Sequence, residues 1–250
     1  MISTLNLTKS YSVRRDTVTA LDSASIDIGV GDFVAITGRS GTGKSTLLGA
    51  IGGLLKPTSG EVFFDCQSIW QLDEQSRAQI RSQKIGFVFQ NASVIPSLMV
   101  LENVLLSQIF LPVPSQDISR AKELIELVQL SSKIDAYPDQ LSGGEKRRVA
   151  IASALMNNPL FLLADEPTGD LDSQTEAQIM DLFQSLNRNG TTVIMVTHNY
   201  QLASYANRIF KMDSGSIAEV TLLAGCQQSR DFKSNPPDKL QPGTKKDLRL

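Results

Sequence analysis

The sequence predicts an α/β fold built around a mostly parallel β-sheet. Short runs of β-branched and other apolar residues recur at residues 33–37 (FVAIT), 160–164 (LFLLA) and 192–196 (TVIMV). Helical patterns separate these runs, and such alternation of strand and helix is typical of parallel sheets covered by helices. Glycine-rich or polar residues follow each run, which places candidate functional groups at the carboxyl ends of the strands.

The first part of the chain predicts strands and one helix. Residues 18–21 and 25–28 have strand-like alternation and are predicted to form antiparallel β structure. Residues 33–37 form the first buried strand, and a helical pattern runs from the glycine-rich stretch after it to Leu54. Residues 85–89 (IGFVF) are the next strand candidate.

The second part of the chain is richer in helical patterns. Apolar residues within 124–128 are spaced for one helix face, and residues 145–156 predict another helix. A further helix is predicted over about residues 174–190, because a glycine at its end is a common stop signal. The patterns predict a helical subdomain at about residues 91–158 within a domain that covers residues 1–221.

The last segment, residues 222–250, differs from the rest in composition. Gln, Ser, Lys, Asp and Pro dominate it, and a stretch of this kind buries little apolar surface. We predict a polar, mobile tail. A regulatory role is the alternative, and a solvated tail is the simpler interpretation.

Composition limits the class of protein. The chain of 250 residues has 24 basic and 26 acidic residues, and a net charge of −2 gives no electrostatic reason to expect nucleic acid as a partner. Cys66 and Cys226 lie too far apart to hold a metal as a pair, and a reducing compartment fits them better. We expect no signal peptide, and no segment approaches the roughly 20 apolar residues that span a bilayer. A role at a membrane would therefore need spanning helices from another polypeptide.

A phosphate-binding loop follows the first buried strand. Its pattern, G-x-x-x-x-G-K-[ST], lies between a strand and a helix, which is the context that this loop requires. Glycines let backbone N–H groups point at phosphates, and the helix N-terminus adds the positive end of a dipole. Lys44 is predicted to neutralise phosphate charge, and the Ser45 hydroxyl to bind Mg²⁺. The predicted nucleotide-binding residues here are Gly38, Arg39, Ser40, Gly41, Thr42, Gly43, Lys44, Ser45 and Thr46.

Two acids follow the strand at residues 160–164. Asp165 suits Mg²⁺, directly or through water, and Glu166 suits a general base that polarises an attacking water. Two solvated acids at a strand end would explain this pattern equally well on its own. The phosphate loop in the same chain favours the catalytic interpretation.

The run at residues 141–145 (LSGGE) is the most specific motif in the chain, and it resembles the signature of ATP-binding cassette (ABC) proteins. An ordered set of motifs extends this resemblance over about residues 2–220. In chain order they are Tyr11, the loop at 38–46, Gln90, residues 141–145, Asp165 with Glu166, residues 169–172 (GDLD) and His198. The resemblance implies the P-loop nucleotide-binding domain of that family, with a mostly parallel core sheet, an antiparallel β subdomain and a helical subdomain that carries the signature.

The resemblance also implies how two copies share ATP. Ser142, Gly143 and Gly144 would face the γ-phosphate of ATP held by a second copy, in a head-to-tail dimer that encloses two MgATP. Residues 169–172 resemble the loop that crosses between the two nucleotide sites, although a simple turn is the alternative.

Three further residues gain roles from the resemblance. Gln90 would reach Mg²⁺ and the attacking water, and His198, the only histidine in the chain, would contact the γ-phosphate and orient Glu166. Tyr11 would stack on adenine, although core packing is the usual role of a single aromatic residue. The predicted catalytic residues are thus Glu166, His198, Lys44 and Gln90, and the predicted Mg²⁺ ligands are Ser45, Gln90 and Asp165.

Finer motifs are similar to one branch of the family. They occur at residues 51–54 (IGGL), 57–60 (PTSG), 85–90 (IGFVFQ), 101–104 (LENV) and 164–169 (ADEPTG), and together they resemble the lipoprotein-release and macrolide-efflux ATPases. Several positions depart from the family pattern without removing a catalytic group. Lys146 and Arg147 occupy two positions where the family usually has glutamine or arginine, followed by glutamine. Ser153 replaces arginine, Asp170 replaces asparagine and Asn199 replaces aspartate.

The resemblance implies an ATPase subunit that binds ATP and Mg²⁺ and powers export or extraction through a separate integral membrane permease subunit. It would lie in the cytoplasm, peripherally on the inner face of the cell membrane. A cell-division type that signals to a membrane partner without transport is one alternative, and an importer ATPase is another. DNA-repair and translation types fit less well, because a long coiled coil and a second cassette are both missing from the pattern.

Overall fold

A computed structural model describes residues 1–13, 16–112, 116–169 and 171–220. The strands and α-helices form two sheets with helices packed around them. In chain order the elements are β1 (Ile2–Val13), β2 (Asp16–Ile28), β3 (Phe33–Thr37), α1 (Lys44–Ile51), β4 (Ser59–Phe64), β5 (Gln67–Ser68), α2 (Glu74–Lys84), β6 (Ile85–Val88), α3 (Val100–Leu105), α4 (Ile118–Leu127), α5 (Gly143–Leu155), β7 (Phe161–Asp165), α6 (Ser173–Arg188), β8 (Thr192–Thr197), β9 (Arg208–Asp213) and β10 (Ser216–Val220).

The central sheet confirms the predicted α/β fold. In the described part of the chain its strand order is β10-β9-β3-β8-β7-β6, and every neighbouring pair is parallel except β9 with β10. Alternate side chains of β3 enter two separate clusters, with Phe33 and Ala35 on one face and Val34 and Ile36 on the other. Burial on both faces explains why the strand is a continuous apolar run in the sequence.

The predicted antiparallel β structure is also present. Among the described residues it forms a sheet in the order β2-β1-β4-β5. The two strand segments predicted at 18–21 and 25–28 belong to one strand, β2. The backbone of Ser23 has φ of 51°, and the pairing register of β1 with β2 shifts between Leu7 and Lys9. This local irregularity explains why the strand-like alternation in the sequence is interrupted within one strand.

Helix α2 and strands β9 and β10 were not predicted, and exposure explains this for α2 and β10. Strand β9 buries only two alternate residues, Phe210 and Met212, which is too few for a clear strand signal. Helix α2 buries none of its residues, so it lacks the apolar face that identifies a helix in a sequence. Capping and charge pairing hold it instead: the Asp73 carboxylate accepts from the Ser76 amide at 2.7 Å, and Arg81 pairs with Glu74 at 2.6 Å. Strand β10 is an edge strand with exposed residues at most positions.

The helical patterns in the second part of the chain correspond to α-helices. Helix α5 begins at Gly143, so the glycine pair 143–144 forms the start of the helix predicted over 145–156, and α6 ends at Arg188, just before Gly190 with φ of 97°. The proposed division into residues 1–221, with a helical part at 91–158 and a tail, stays a prediction. The tail at 222–250 lies outside the described residues.

Helix α5 packs closely on strand β6, and a glycine makes this possible. A Cβ atom at Gly86 would lie 2.4 Å from the carbonyl oxygen of Ala154 in α5. A side chain there would push the helix away from the sheet. Gly86 therefore sets the distance between α5 and the end of β6.

We predict that Gly86→Ala lowers the free energy of unfolding by about 1–3 kcal/mol, because overpacking against a backbone carbonyl forces the helix to shift. Urea unfolding followed by circular dichroism measures this loss. The control is Gly49→Ala in α1, where the nearest atom to a new Cβ would be 3.5 Å away and alanine favours the helix. Equal stability of the two variants would contradict the packing argument.

Candidate functional site

The phosphate-binding loop joins β3 to α1 and depends on two close backbone approaches. Gly43 has φ of 100°, and a Cβ atom there would lie 2.0 Å from the carbonyl oxygen of Ala20 in β2. A Cβ atom at Gly38 would lie 2.4 Å from the carbonyl oxygen of Met212 in β9. The loop backbone thus packs directly on two strands, which only glycine permits at these positions.

Lys44 lies inside this loop. Its side chain is buried, and Nζ donates to the carbonyl oxygens of Gly38 and Arg39 at 2.9 Å each. The Thr42 hydroxyl also donates to the Arg39 carbonyl at 2.9 Å, which closes the loop on itself. The ammonium group is therefore held at the centre of the loop before any phosphate arrives.

A cavity of about 310 Å³ opens in front of the loop. The loop lines it together with residues from three other parts of the chain, in β2, just past β6 and just past β7. The lining residues are Ala20, Ser40, Gly41, Gly43, Lys44, Ser45, Thr46, Gln90 and Glu166. The structure thus brings most of the predicted loop residues together with two of the predicted catalytic residues.

Asp165 lies at the carboxyl end of β7, beside the loop. The Ser45 hydroxyl donates to Asp165 Oδ1 at 3.1 Å. Burial raises the pKa of the Asp165 carboxyl above its usual value, and the nearby Glu166 carboxylate adds to this rise. The hydrogen bond from Ser45 and the positive charges of Lys44 and Arg147 oppose the rise.

Glu166 is the centre of a three-residue cluster. Nδ1 of His198 lies 3.0 Å from Glu166 Oε1, and Nε2 of Gln90 donates to Glu166 Oε2 at 3.3 Å. The Glu166 side chain is 15% exposed, whereas that of His198 is 58% exposed. The backbone of Glu166 has φ of 43°, a left-handed conformation that is uncommon for residues other than glycine.

A second polar cavity, of about 390 Å³, adjoins the first. The two cavities share Ser40, Gln90 and Glu166. The second is also lined by His198, Asn199 and the acidic side chain of Glu176 from α6. Glu166 therefore lines both cavities, and the phosphate loop forms much of the wall of the first.

The structure does not bring the signature residues to these cavities. Ser142 caps α5: its hydroxyl accepts from the Glu145 amide at 3.2 Å, and the Glu145 carboxylate accepts from the Ser142 amide at 2.7 Å. Gly143 and Gly144 form the first turn of the same helix. Ser142, Gly143 and Gly144 are not among the described residues that line either cavity.

Tyr11 lines neither cavity, whereas the motif at residues 169–172 reaches the cluster around Glu166: Gly169 and Leu171 line the second cavity, and the Gly169 amide donates to the Glu166 carbonyl oxygen at 3.1 Å. Tyr11 lies in β1 with its ring exposed, and the Lys9 ammonium lies 5.2 Å from the ring centre. The Asp172 carboxylate caps α6 by accepting from the amides of Gln174 and Thr175, each at 3.0 Å. Asp170 lies outside the described residues.

Arg147 is a residue of this region to which the sequence analysis assigned no role. Its guanidinium group donates to the backbone carbonyl oxygens of Phe89 and Gln90. The sequence shows Arg147 as a departure from the family pattern but cannot show the contact, because Gln90 lies 57 residues away in the chain. A basic residue on the buried face of a helix was the available signal.

The oxygen donors around the loop fit Mg²⁺. The Ser45 hydroxyl and the Asp165 carboxylate are hard ligands and already lie within hydrogen-bond distance of each other. In the described ranges no group of three or more His, Cys, Asp and Glu side chains could hold a metal ion alone. Mg²⁺ commonly uses one or two carboxylates together with substrate phosphates, and Asp165 is such a carboxylate beside the phosphate loop.

Comparison with known proteins identifies the family. Residues 21–169 match the model of the ABC transporter family. An ABC transporter ATP-binding protein of Thermotoga maritima is 44% identical over 210 residues, covering 84% of this chain and 90% of the relative. A macrolide export ATP-binding/permease protein, MacB, of Rhodopirellula baltica is 42% identical over 88% of this chain, which spans 33% of that relative.

A solved structure agrees with these relatives. The ATP-binding cassette MJ0796 of Methanocaldococcus jannaschii, described as a dimer in a post-hydrolysis state bound to ADP and Pi, superposes with a TM-score of 0.84. It is 42% identical, and the match covers 89% of this chain and 99% of that one. The chain belongs to the ABC transporter family and is an ATP-hydrolysing, ATP-binding cassette of that family.

We predict that Asp165→Asn stabilises the nucleotide-free protein at neutral pH while weakening Mg²⁺-dependent nucleotide binding. The raised pKa means that the folded state favours the protonated carboxyl, so the wild type loses stability as the pH rises above the usual carboxyl value of 3.8. Asparagine keeps the shape and removes this penalty.

Thermal unfolding from pH 3 to pH 8 tests this prediction. The difference in stability between Asp165→Asn and wild type is expected to be largest at neutral pH and to vanish below about pH 3.8, where both states of the wild type are protonated. A variant that is less stable than wild type at pH 7 would refute the argument. Asp213→Asn, an exposed aspartate at the end of β9, is the control.

Proposed function

We propose that this chain is the ATPase subunit that powers export or extraction of a substrate through a separate membrane subunit. The observation that carries the catalytic part is the cluster of Glu166, His198 and Gln90: Glu166 and Gln90 line the cavity in front of the Lys44 loop, and His198 lines the adjoining one. A carboxylate held by a histidine and an amide, in front of a phosphate-binding loop, is the arrangement that hydrolysis of a phosphoanhydride needs.

The residues divide the work of phosphoryl transfer to water. Backbone amides of the glycine-rich loop and the Lys44 ammonium hold the phosphates and balance their charge. Glu166 accepts a proton from the attacking water, and His198 and Gln90 keep its carboxylate oriented. Mg²⁺, held by the oxygens of Ser45 and Asp165 and approached by the Gln90 amide, would supply charge neutralisation on the transferred phosphate.

The second half of the ATP site comes from another copy in this proposal. The N-terminus of α5 presents backbone N–H groups at Gly143 and Gly144 and the positive end of the helix dipole, which suits an anion. These residues line neither cavity within one chain, so in this proposal a nucleotide bound at Lys44 needs a partner to reach such a helix end. The dimeric state of the MJ0796 cassette supports the head-to-tail arrangement.

We predict that Glu166→Gln lowers the rate of ATP hydrolysis at least about 100-fold, because glutamine cannot accept the proton. ATP binding is expected to persist, since Lys44 and the loop are unchanged. Phosphate release and binding of a fluorescent ATP analogue measure the two properties. The control is Glu176→Gln, which removes a carboxylate from the second cavity but takes no part in the proposed reaction. A Glu166→Gln protein with the normal rate would refute the assignment.

The membrane subunit is proposed from the relatives and from one surface of the chain. The macrolide export relatives carry ATP-binding and permease parts in one polypeptide, of which this chain spans about a third. In the part of the chain that the structure describes, no helix is long and apolar enough to cross a membrane. We propose that a separate polypeptide supplies the permease function, and we place this ATPase at its cytoplasmic face.

An apolar groove of about 580 Å³ offers a surface for that subunit. It lies between α2, α5 and the end of β6, next to Gln90. Large apolar side chains line it, among them Leu54, Phe87, Phe89, Leu106 and Phe110. Phe110 is 70% exposed and Phe89 and Leu54 are also exposed, so the groove is a contiguous apolar surface of the kind that commonly marks a protein contact. A segment of the membrane subunit in this groove would lie beside the catalytic cluster.

We predict that Phe110→Ser reduces recovery of the membrane subunit at least about fivefold, because one buried aromatic side chain contributes more than 1 kcal/mol to many interfaces. Tagged protein is purified from detergent-solubilised membranes of its own host and analysed by mass spectrometry. The control is Val30→Ser, which changes an apolar residue that is 67% exposed in a turn far along the chain from the groove.

The identity of the recovered subunit separates the proposed branch from its alternatives. A subunit with about four spanning helices and a large extracytoplasmic domain supports export or extraction. A permease with many spanning helices together with a solute-binding protein would replace this proposal with an importer. Recovery of cell-wall enzymes without a translocated substrate would favour the cell-division type.

A further inference from the structure

Arg147 ties the signature helix to the residue that contacts Glu166. It lies in α5, one turn after Gly143 and Gly144, and its side chain is buried. The two Nη atoms donate to two consecutive carbonyl oxygens, those of Phe89 and Gln90. A planar guanidinium group can span two adjacent acceptors in this way, whereas an ammonium group cannot hold both in fixed geometry.

The carbonyl groups that Arg147 binds lie just beyond the end of strand β6. The last pair in the β6–β7 ladder is Val88 with Ala164, so Phe89 and Gln90 extend past the sheet. Both residues are exposed. The hydrogen bonds from Arg147 therefore hold this part of the backbone at the point where the ladder no longer does so.

The position of Gln90 is sensitive to such support. Its Nε2 atom lies 3.3 Å from Glu166 Oε2, near the long end of the range for a hydrogen bond. A backbone displacement of half an ångström would break this contact. The charge of Arg147 also acts on the same region, since it opposes the effect of burial on the pKa of Asp165.

We propose that Arg147 is a positioning residue for ATP hydrolysis: its guanidinium group holds the Gln90 backbone so that the Gln90 amide stays in contact with Glu166. This inference rests on the proposed roles of Gln90 and Glu166. Through these hydrogen bonds, a shift of the first turns of α5 would also move Gln90. The end of the helix that would face a second copy is therefore coupled to the proposed general base.

The test is Arg147→Met in the full chain, assayed for steady-state ATP hydrolysis. Methionine keeps an unbranched side chain of similar length in the buried position and removes the donors. We expect kcat to fall about tenfold, the effect of losing one charge-assisted hydrogen bond, while KM for MgATP changes less than about twofold. The Phe89 and Gln90 carbonyl groups that Arg147 holds are not part of the Lys44 loop, which binds the phosphates.

Two further variants distinguish positioning from a general loss of structure. Arg147→Lys retains the charge and one donor group, and we expect it to recover about half of the lost kcat on a logarithmic scale. Arg77→Gln is the control for stability. The Arg77 side chain in α2 is 14% exposed and donates to the Leu72 carbonyl at 3.0 Å, and its hydrogen-bond partners in the described residues are Glu74, Ile69 and Leu72 rather than Gln90. Arg77→Gln is expected to lower the melting temperature and leave kcat unchanged.

A double-mutant cycle gives the decisive result. If Arg147 acts through Gln90, Gln90→Ala combined with Arg147→Met is no slower than Gln90→Ala alone. Additive losses would overturn the inference, and so would an unchanged kcat in folded Arg147→Met. Should Arg147→Met fail to fold, the same cycle is run with Arg147→Lys. A wild-type chain that does not hydrolyse ATP would instead refute the proposed function.

Discussion

The parallel pairing of three central strands is the constraint on which the site depends. Strand β8 lies between β3 and β7, and the register pairs Thr37 with Thr197 and Asp165 with Val196. The chain leaves all three strands at nearly the same level, so the phosphate loop, Glu166 and His198 emerge side by side from segments that are far apart in the sequence. Hydrogen bonds of the ladder, together with complete burial of β3 and β8, fix this level. A slip of one residue in any strand would separate the catalytic groups and turn apolar side chains out of their clusters.

Around these strands, the site is shaped by close backbone packing and by two energetically unfavourable features, a buried carboxylate and a left-handed backbone. At glycines 38, 43 and 86 the backbone lies directly against the backbone of a neighbouring element. That neighbouring backbone occupies the space that a side chain would need. Asp165 is a carboxylate in a position where burial disfavours its charge, and Glu166 has a left-handed backbone. Natural proteins commonly place such costs at functional sites, where the well-packed sheet beneath them keeps the geometry.

The sequence predicted the strands and the loop because their signals are local. The runs that became β3, β7 and β8 are buried on both faces, and their functional residues follow at once, so the pattern and the chemistry coincide. Helix α2 escaped prediction because charge pairs rather than an apolar face hold it. The contact of Arg147 with the Gln90 backbone was out of reach for a different reason: it joins a helix to a strand end across more than fifty residues, and no period in the sequence reports such a pairing. The proposed partner of Tyr11 is the adenine of a nucleotide, and that of the signature glycines is ATP held by a second copy. The fold of one chain alone therefore does not test these two predictions.

The two hydrogen bonds that Lys44 makes with its own loop have a consequence for affinity. The loop is already in shape when nucleotide arrives, so little conformational entropy is lost on binding. The ammonium must, however, exchange two carbonyl partners for phosphate oxygens, and this exchange offsets part of the attraction between them. Pre-organisation and competition thus act in opposite directions. The affinity of the loop for phosphate is therefore smaller than the charge of Lys44 alone would give, and release of a phosphate leaves the ammonium with partners of its own.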